Sequence, residues 1–308
     1  DRAPPGLERL GVLLGDVLGT AVEPPRCWQI GPGAPGLALD RPVLIGIINV
    51  TPDSFSDGGR YSAPDQAVAR AERLLADGAR LLDVGGESTR PGAREVPVDE
   101  EIGRVVPIVE ALGRRGLGPV SVDTRKAAVA RAALAAGAAV VNDVTGFAFD
   151  PAMGAVVAAA GAGALLMHTR GDPATMDDLA RYTDVTPEVA AELRARAVAA
   201  ERSGVARERI ALDPGFGFAK TAAQSLRLLD ELATIVALGY PVAVGPSRKR
   251  FLGVATGRPV EDRDRATAVA CALAWERGAR LFRVHDVALA REALELARAA
   301  GGGGGTAR

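Results

Sequence analysis

Several things are scarce in this sequence, and each scarcity excludes something. Only two cysteines, Cys27 and Cys271, occur in 308 residues. They are too few for a disulfide framework and lack metal-ligand spacing, so both are expected to be core residues in a reducing cytoplasm. Histidine also occurs twice, as His168 and His285. No cysteine–histidine pair exists and no serine has a histidine near it in sequence, so covalent catalysis is not suggested. Aromatics make up 4% of the chain, which leaves an aliphatic core. Net charge is nearly absent, with 37 Lys+Arg against 38 Asp+Glu. That balance offers no electrostatic case for nucleic acid or an anionic membrane as partner. No apolar run reaches membrane-spanning length and no cationic-then-apolar signal opens the chain.

What is present is repetition. Eight short apolar runs, at 43–48, 81–84, 119–122, 139–142, 164–167, 210–212, 242–244 and 281–284, alternate with helical patterns such as 127–136, 188–203, 222–238 and 288–299. Each run is predominantly apolar and does not alternate, as expected of parallel strands covered on both faces. Gly78, Gly137, Gly239 and Gly278 each end a helical pattern before the next run. The count of eight, with polar residues after nearly every strand, favours a closed (βα)8 TIM barrel over a doubly wound sheet. The barrel is expected over 41–300. A Gly- and Pro-rich extension precedes it (1–40), in which 27–30 and 37–39 could pair as a hairpin, and a Gly-rich tail follows (301–308).

Barrel enzymes place their chemistry at the C-terminal ends of the strands. Those positions hold Asn49, Asp83, Asp123, Asn142 with Asp143, His168, Asp213, the run Ser247-Arg248-Lys249, and Arg283 with His285. A single Asp there is as easily a helix cap as a ligand. The whole set in one mouth points to a site. Carboxylates and amides suit a flat heterocycle rich in N–H donors, while Arg283 and His285 suit phosphate oxygens. No side-chain set makes a protein-only metal cage, but Mg²⁺ held by substrate phosphates and water would need only Asn49. Two motifs are discounted. Residues 215–221 end like a phosphate loop but lack a glycine immediately before Lys220, and the Gly161/Gly163 pair follows a helix instead of a strand.

Two loops are longer than a barrel connection requires. Residues 49–59 read NVTPDSFSDGG and 85–93 read GGESTRPGA. They offer Asp57 for a developing cation, and Thr89 and Arg90 for an anion. The first closely resembles the leading signature of dihydropteroate synthases and the second resembles their next one. The segments Ser121-Val-Asp-Thr, Val141-Asn-Asp-Val, Asp213-Pro-Gly-Phe-Gly-Phe, Ser247-Arg-Lys and Arg283-Val-His-Asp continue the resemblance, in order, from about Arg41 to Ala300.

The resemblance implies condensation of 4-aminobenzoate with a 6-hydroxymethyl-dihydropterin pyrophosphate by a dissociative route. It implies a pterin pocket of Asp123, Asn142, Asp213 and Lys249 walled by Met167 and Phe218, with Asp83 either reaching the pterin or playing an internal role. Arg283, His285 and Asn49 would meet pyrophosphate, with Asn49 also the Mg²⁺ ligand. Phe55, Pro91, Lys249 and Arg250 would surround 4-aminobenzoate. Asp57, Phe55, Thr89 and Arg90 would act when the loops close. Arg250 stands where a small hydroxyl residue is also common in the family. The resemblance further implies a homodimer, for which the last two helices are plausible surfaces. Two other readings are a pterin-binding paralogue without activity and a pterin-dependent methyltransferase. Intact long loops argue against the first. The second would have no use for Arg283 and His285 or for the Thr-Arg-Pro of the second loop.

Overall fold

The computed structural model describes residues 25–32, 34–50, 63–90, 92–172 and 174–301. Phe55, Asp57 and Pro91 lie outside them. The first two strands, β1 (Cys27–Trp28) and β2 (Leu37–Ala38), pair antiparallel as the expected hairpin. Eight parallel strands follow: β3 (Val43–Asn49), β4 (Leu81–Gly85), β5 (Val120–Asp123), β6 (Val140–Asp143), β7 (Gly163–Met167), β8 (Ile210–Asp213), β9 (Ala243–Val244) and β10 (Leu281–Val284). They run in chain order around the ring, with β10 between β3 and β9. A parallel bridge between Leu212 and Val242 joins the β8 and β9 sides, supported by Leu212 N–H donating to the Pro241 carbonyl at 2.9 Å. The expected barrel is therefore present.

Its helices are α1 (Ala63–Asp77), α2 (Val98–Arg114), α3 (Ala127–Ala135), α4 (Met153–Ala160), α5 (Val185–Arg202), α6 (Ala222–Asp230), α7 (Ala233–Val236), α8 (Arg250–Thr256), α9 (Asp264–Glu276) and α10 (Val287–Gly301). Local chemistry sets several boundaries. Asp99, Glu100 and Glu101 place negative charge on the first turn of α2, complementing its dipole. Thr221 and Gln224 form a reciprocal capping box that opens α6. The pattern over 222–238 predicts one helix, but the chain breaks at Glu231, and two shorter helices result. Gly78, Gly137, Gly239 and Gly278 all adopt positive φ at the returns to the strands, as expected.

Strand side chains alternate between two cores. Outward residues such as Leu82, Val84, Val122 and Val141 pack beneath the helices. Inward residues Val43, Ile45, Leu81, Val140, Leu165 and Leu281 fill the lower barrel, where Trp28, Ile30, Leu37 and Leu39 of the hairpin region join them. Trp28 is fully buried, and its indole N–H reaches the Arg209 carbonyl at 2.9 Å. Cys271 is buried in the outer core, and burial pushes its thiol up to about 12, an unreactive state. Cys27 is a correction: a two-residue strand at the protein's edge leaves it only half-buried.

Candidate active site

On four strands, one step of two residues carries the barrel interior from apolar to polar. Leu81 is followed on the inner face by Asp83, Val140 by Asn142, Ala211 by Asp213 and Leu281 by Arg283. These side chains meet in the upper barrel. The Arg283 guanidinium donates from Nε to Asp83 Oδ2 at 2.5 Å and from a terminal nitrogen to Asp123 Oδ2 at 2.6 Å. Asn142 donates to the same Asp83 oxygen at 3.1 Å. Asp83, 1% exposed, orients Arg283 and Asn142 through this oxygen, while its other carboxylate oxygen is buried without a partner among the described residues.

Asp213 stands at the end of β8. Its Oδ1 accepts from Gly215 N–H at 2.7 Å. Gly215 has φ +68, and a Cβ there would lie 2.0 Å from the His168 carbonyl oxygen, so only glycine allows the chain to turn this closely. Lys249 reaches in from the next loop, its ammonium 3.7 Å from the centroid of the Phe218 ring. Burial pushes Asp213 up to about 6, opposed by Gly215 N–H and Lys249. Burial pulls Lys249 down to about 8, opposed by Asp213. Asp123 is likewise raised by burial, although Arg283 acts against it. Burial would lower Arg283, and Asp83 and Asp123 more than offset it, so the guanidinium stays charged. Met167, buried, and Phe218, half-buried, flank this group from β7 and the loop after β8.

The Lys249 loop is held rigidly. Arg248 has φ +57, uncommon for a residue with a side chain. Its N–H donates to Thr267 Oγ1 at 3.1 Å and its guanidinium forks onto Asp264 at 2.8 and 2.7 Å, both partners on α9. On the same loop, Ser247 Oγ meets His285 Nδ1 at 2.8 Å. Arg250 is exposed at the start of α8. Asn49 is half-buried at the end of β3, in register with Gly85. Among the described residues no cluster of three His, Cys, Asp or Glu could hold a metal.

The second long loop is clamped at its stems. Glu87 accepts from Val96 N–H at 2.8 Å, Lys126 Nζ at 3.0 Å and Arg125 Nε at 3.2 Å. Lys126 also donates to the Val96 carbonyl at 2.6 Å and to Glu101 at 2.7 Å, and Thr124 Oγ1 donates to the other Glu101 oxygen at 2.7 Å. Glu101 is 0% exposed and fully partnered, as a buried charge must be. Between the clamped ends, Thr89 is half-buried and Arg90 exposed.

Two expectations change, and the discounting of residues 215–221 as a phosphate loop stands. His168 follows β7 at the rim, but its ring is fully buried, with Nε2 on Glu192 at 2.9 Å and Nδ1 on Lys220 at 2.8 Å. Burial pulls it down to about 3, helped by Lys220, so it is a neutral packing group and not part of the mouth. Asp143 spends its carboxylate on the turn below it, accepting from Thr145 and Phe147. Lys220 is no phosphate ligand, because its ammonium holds the Gly215 and Phe218 carbonyls at 3.1 and 2.9 Å from inside. The Glu87, Glu101, Arg125 and Lys126 clamp went unnoticed in the sequence. Three charged or hydroxyl residues directly after a strand-end Asp, Thr124-Arg125-Lys126, were the available signal.

Fold and mouth together define a barrel whose buried carboxylates could accept from a donor-rich heterocycle, with cations beside them suited to an anionic group. Residues 45–285 match the pterin binding enzyme family, to which this chain belongs. The dihydropteroate synthase of Synechocystis is 44% identical over 260 residues, covering 84% of this chain and 90% of that protein. Among solved structures, Xanthomonas albilineans dihydropteroate synthase with 4-aminobenzoic acid superposes at a TM-score of 0.84 with 46% identity, covering 90% of this chain and 98% of that one. The same enzyme in complex with 7,8-dihydropteroate gives 0.81 and 43%, covering 90% and 99%.

Proposed function

We propose that the mouth condenses 4-aminobenzoate with 6-hydroxymethyl-7,8-dihydropterin pyrophosphate, giving 7,8-dihydropteroate and pyrophosphate, as a dihydropteroate synthase does. The observation that carries this reading is the ring of inward strand-end groups, Asp123, Asn142 and Asp213, with Lys249 and Arg283 as the cations among them. Asp213 accepts from the pterin amino group and ring N–H, while Lys249 donates to the ring carbonyl and a ring nitrogen. Asn142 and Asp123 bind the far edge, and Met167 and Phe218 wall the ring. Pyrophosphate meets Arg283, His285 and Asn49.

Asn49 offers one amide oxygen at a strand end, which fits Mg²⁺ completed by phosphate oxygens and water. When bound, that ion would offset charge on the leaving pyrophosphate. Departure of pyrophosphate leaves a pterin methylene cation, which the buried carboxylates and Asp57 stabilise. The neutral arylamine, seated by Phe55, Pro91, Lys249 and Arg250, then attacks, with Thr89 contacting the departing or incoming groups and Arg90 and Asp57 stabilising the closed loops. No strong base is required. A homodimer formed through the last two helices accords with the exposed Val269 and Leu273 of α9 and Leu296 of α10. The cytoplasm is the compartment this reading assumes. Among the described residues, no helix is long and apolar enough to cross a membrane.

The test mixes the chain with pterin pyrophosphate, Mg²⁺ and 4-aminobenzoate. Pyrophosphate release in step with dihydropteroate is expected. Tight pterin binding without release would instead identify a non-catalytic paralogue.

A further inference from the structure

Ser247 and His285 are 38 positions apart and touch twice. The backbone N–H of His285 donates to Ser247 Oγ at 3.2 Å, and the same oxygen lies 2.8 Å from His285 Nδ1. Ser247 is 8% exposed, so water has little access to it. With one lone pair taken by the backbone N–H, the hydroxyl proton finds an acceptor among the described residues only in the Nδ1 lone pair. The reverse arrangement, Nδ1–H donating to Oγ, would strand that proton in a buried site. Nδ1 is therefore the acceptor and the ring proton sits on Nε2. Nε2 has no hydrogen-bond partner among the described residues.

Both supports of this contact are stiff. Arg248 pins the serine's loop to Asp264 and Thr267, while Arg70 of α1 donates to the His285 carbonyl at 2.5 Å. Charged groups around the ring, Arg283, Arg248 and Arg70 against Asp264, together with burial, favour the neutral imidazole.

We propose that Ser247 is a positioning residue that locks His285 in the neutral Nε2–H tautomer, so that the ring presents a donor, not a lone pair, to the pyrophosphate of the substrate. This rests on the reading of His285 as a pyrophosphate contact. A phosphate oxygen facing an Nε2 lone pair would be repelled, whereas an N–H toward it forms a hydrogen bond to a charged group. Ser247 is not a nucleophile here, because its oxygen is buried and its proton points into the ring nitrogen that holds it.

The chain's two histidines make the test direct. Ring ¹⁵N shifts of the full chain, assigned with His285→Gln, should report Nε2–H for His285. Ser247→Ala should convert it to a tautomer mixture and weaken inorganic pyrophosphate binding on the order of 10- to 100-fold. Binding of a pterin without pyrophosphate should stay within about twofold, showing that the barrel is intact. Ser247→Thr, which keeps the hydroxyl, should restore both readouts. An Nδ1–H tautomer in the parent chain, or an unchanged tautomer in Ser247→Ala, overturns the proposal. A parent chain with the Nε2–H ring that binds no pyrophosphate would sink the anion reading of the mouth, and with it the donor role of the ring, while the shifts still establish the tautomer lock.

Discussion

The two ends of the barrel interior are built from the same strands and do opposite work. The lower end holds Val43, Ile45, Leu81, Val140, Leu165 and Leu281, closed by Trp28 and Ile30. The upper end, two residues farther along, holds Asp83, Asp123, Asn142, Asp213 and Arg283. Burial favours the folded state at the bottom and opposes it at the top, where it pushes carboxylates upward and a lysine downward. A pterin-binding barrel thus concentrates its stability at one end and its chemistry, with the associated desolvation cost, at the other.

The largest effect should come from the lower end. Trp28→Ala removes a fully buried side chain and its hydrogen bond, and should cost about 3–5 kcal/mol in denaturant unfolding while leaving the KM of folded protein for pterin pyrophosphate nearly unchanged. A comparable loss should follow Lys126→Ala, the exception that sharpens the contrast. It leaves Glu101 buried without its cation, worth about 3 kcal/mol, and a Lys126→Met/Glu101→Gln double variant should recover much of that in thermal melts. Non-recovery would mean that the clamp acts through geometry and not charge.

Asp213→Asn should reverse the pattern. A fall of kcat/KM of roughly 10- to 100-fold is expected from one charged hydrogen-bond acceptor, with a melting temperature equal to or above that of the parent. A marked loss of stability would erase the distinction between the two ends. The pH dependence tests the same carboxylate more finely. Its folded value of about 6 exceeds the ordinary 3.8, so protonation favours the folded state without ligand. That stabilisation is fully present below about 3.8 and is lost as pH rises through about 6. Pterin affinity should run the other way, rising through about 6 as the carboxylate ionises, and Asp213→Asn should remove this carboxylate's share of both curves, leaving that of Asp123, which burial also raises. Calorimetric titration across that range checks the sign. The smallest change in stability, within about 0.5 kcal/mol, is expected for Leu296→Glu at a 72% exposed position, yet sedimentation should show whether it weakens self-association.

Period and punctuation alone determined much of this protein. Eight apolar runs with polar endings specified the barrel, because a parallel strand covered on both faces must be apolar until it reaches the rim. The same logic placed Asp123, Asn142, Asp213 and Arg283 in one mouth, and the hairpin at 27–38 followed from its short apolar runs. What sequence could not supply was direction and partnership. His168 stands at a rim position, yet its ring turns outward to Glu192 and Lys220. Ser247 meets His285 across 38 residues, and Glu87 and Val96 meet Lys126 across 39 and 30. Such contacts depend on where the closed ring brings neighbouring loops, and on which buried charges must find partners once water is excluded. Both are properties of the assembled barrel, since strand period says which face a residue occupies and nothing about who waits there.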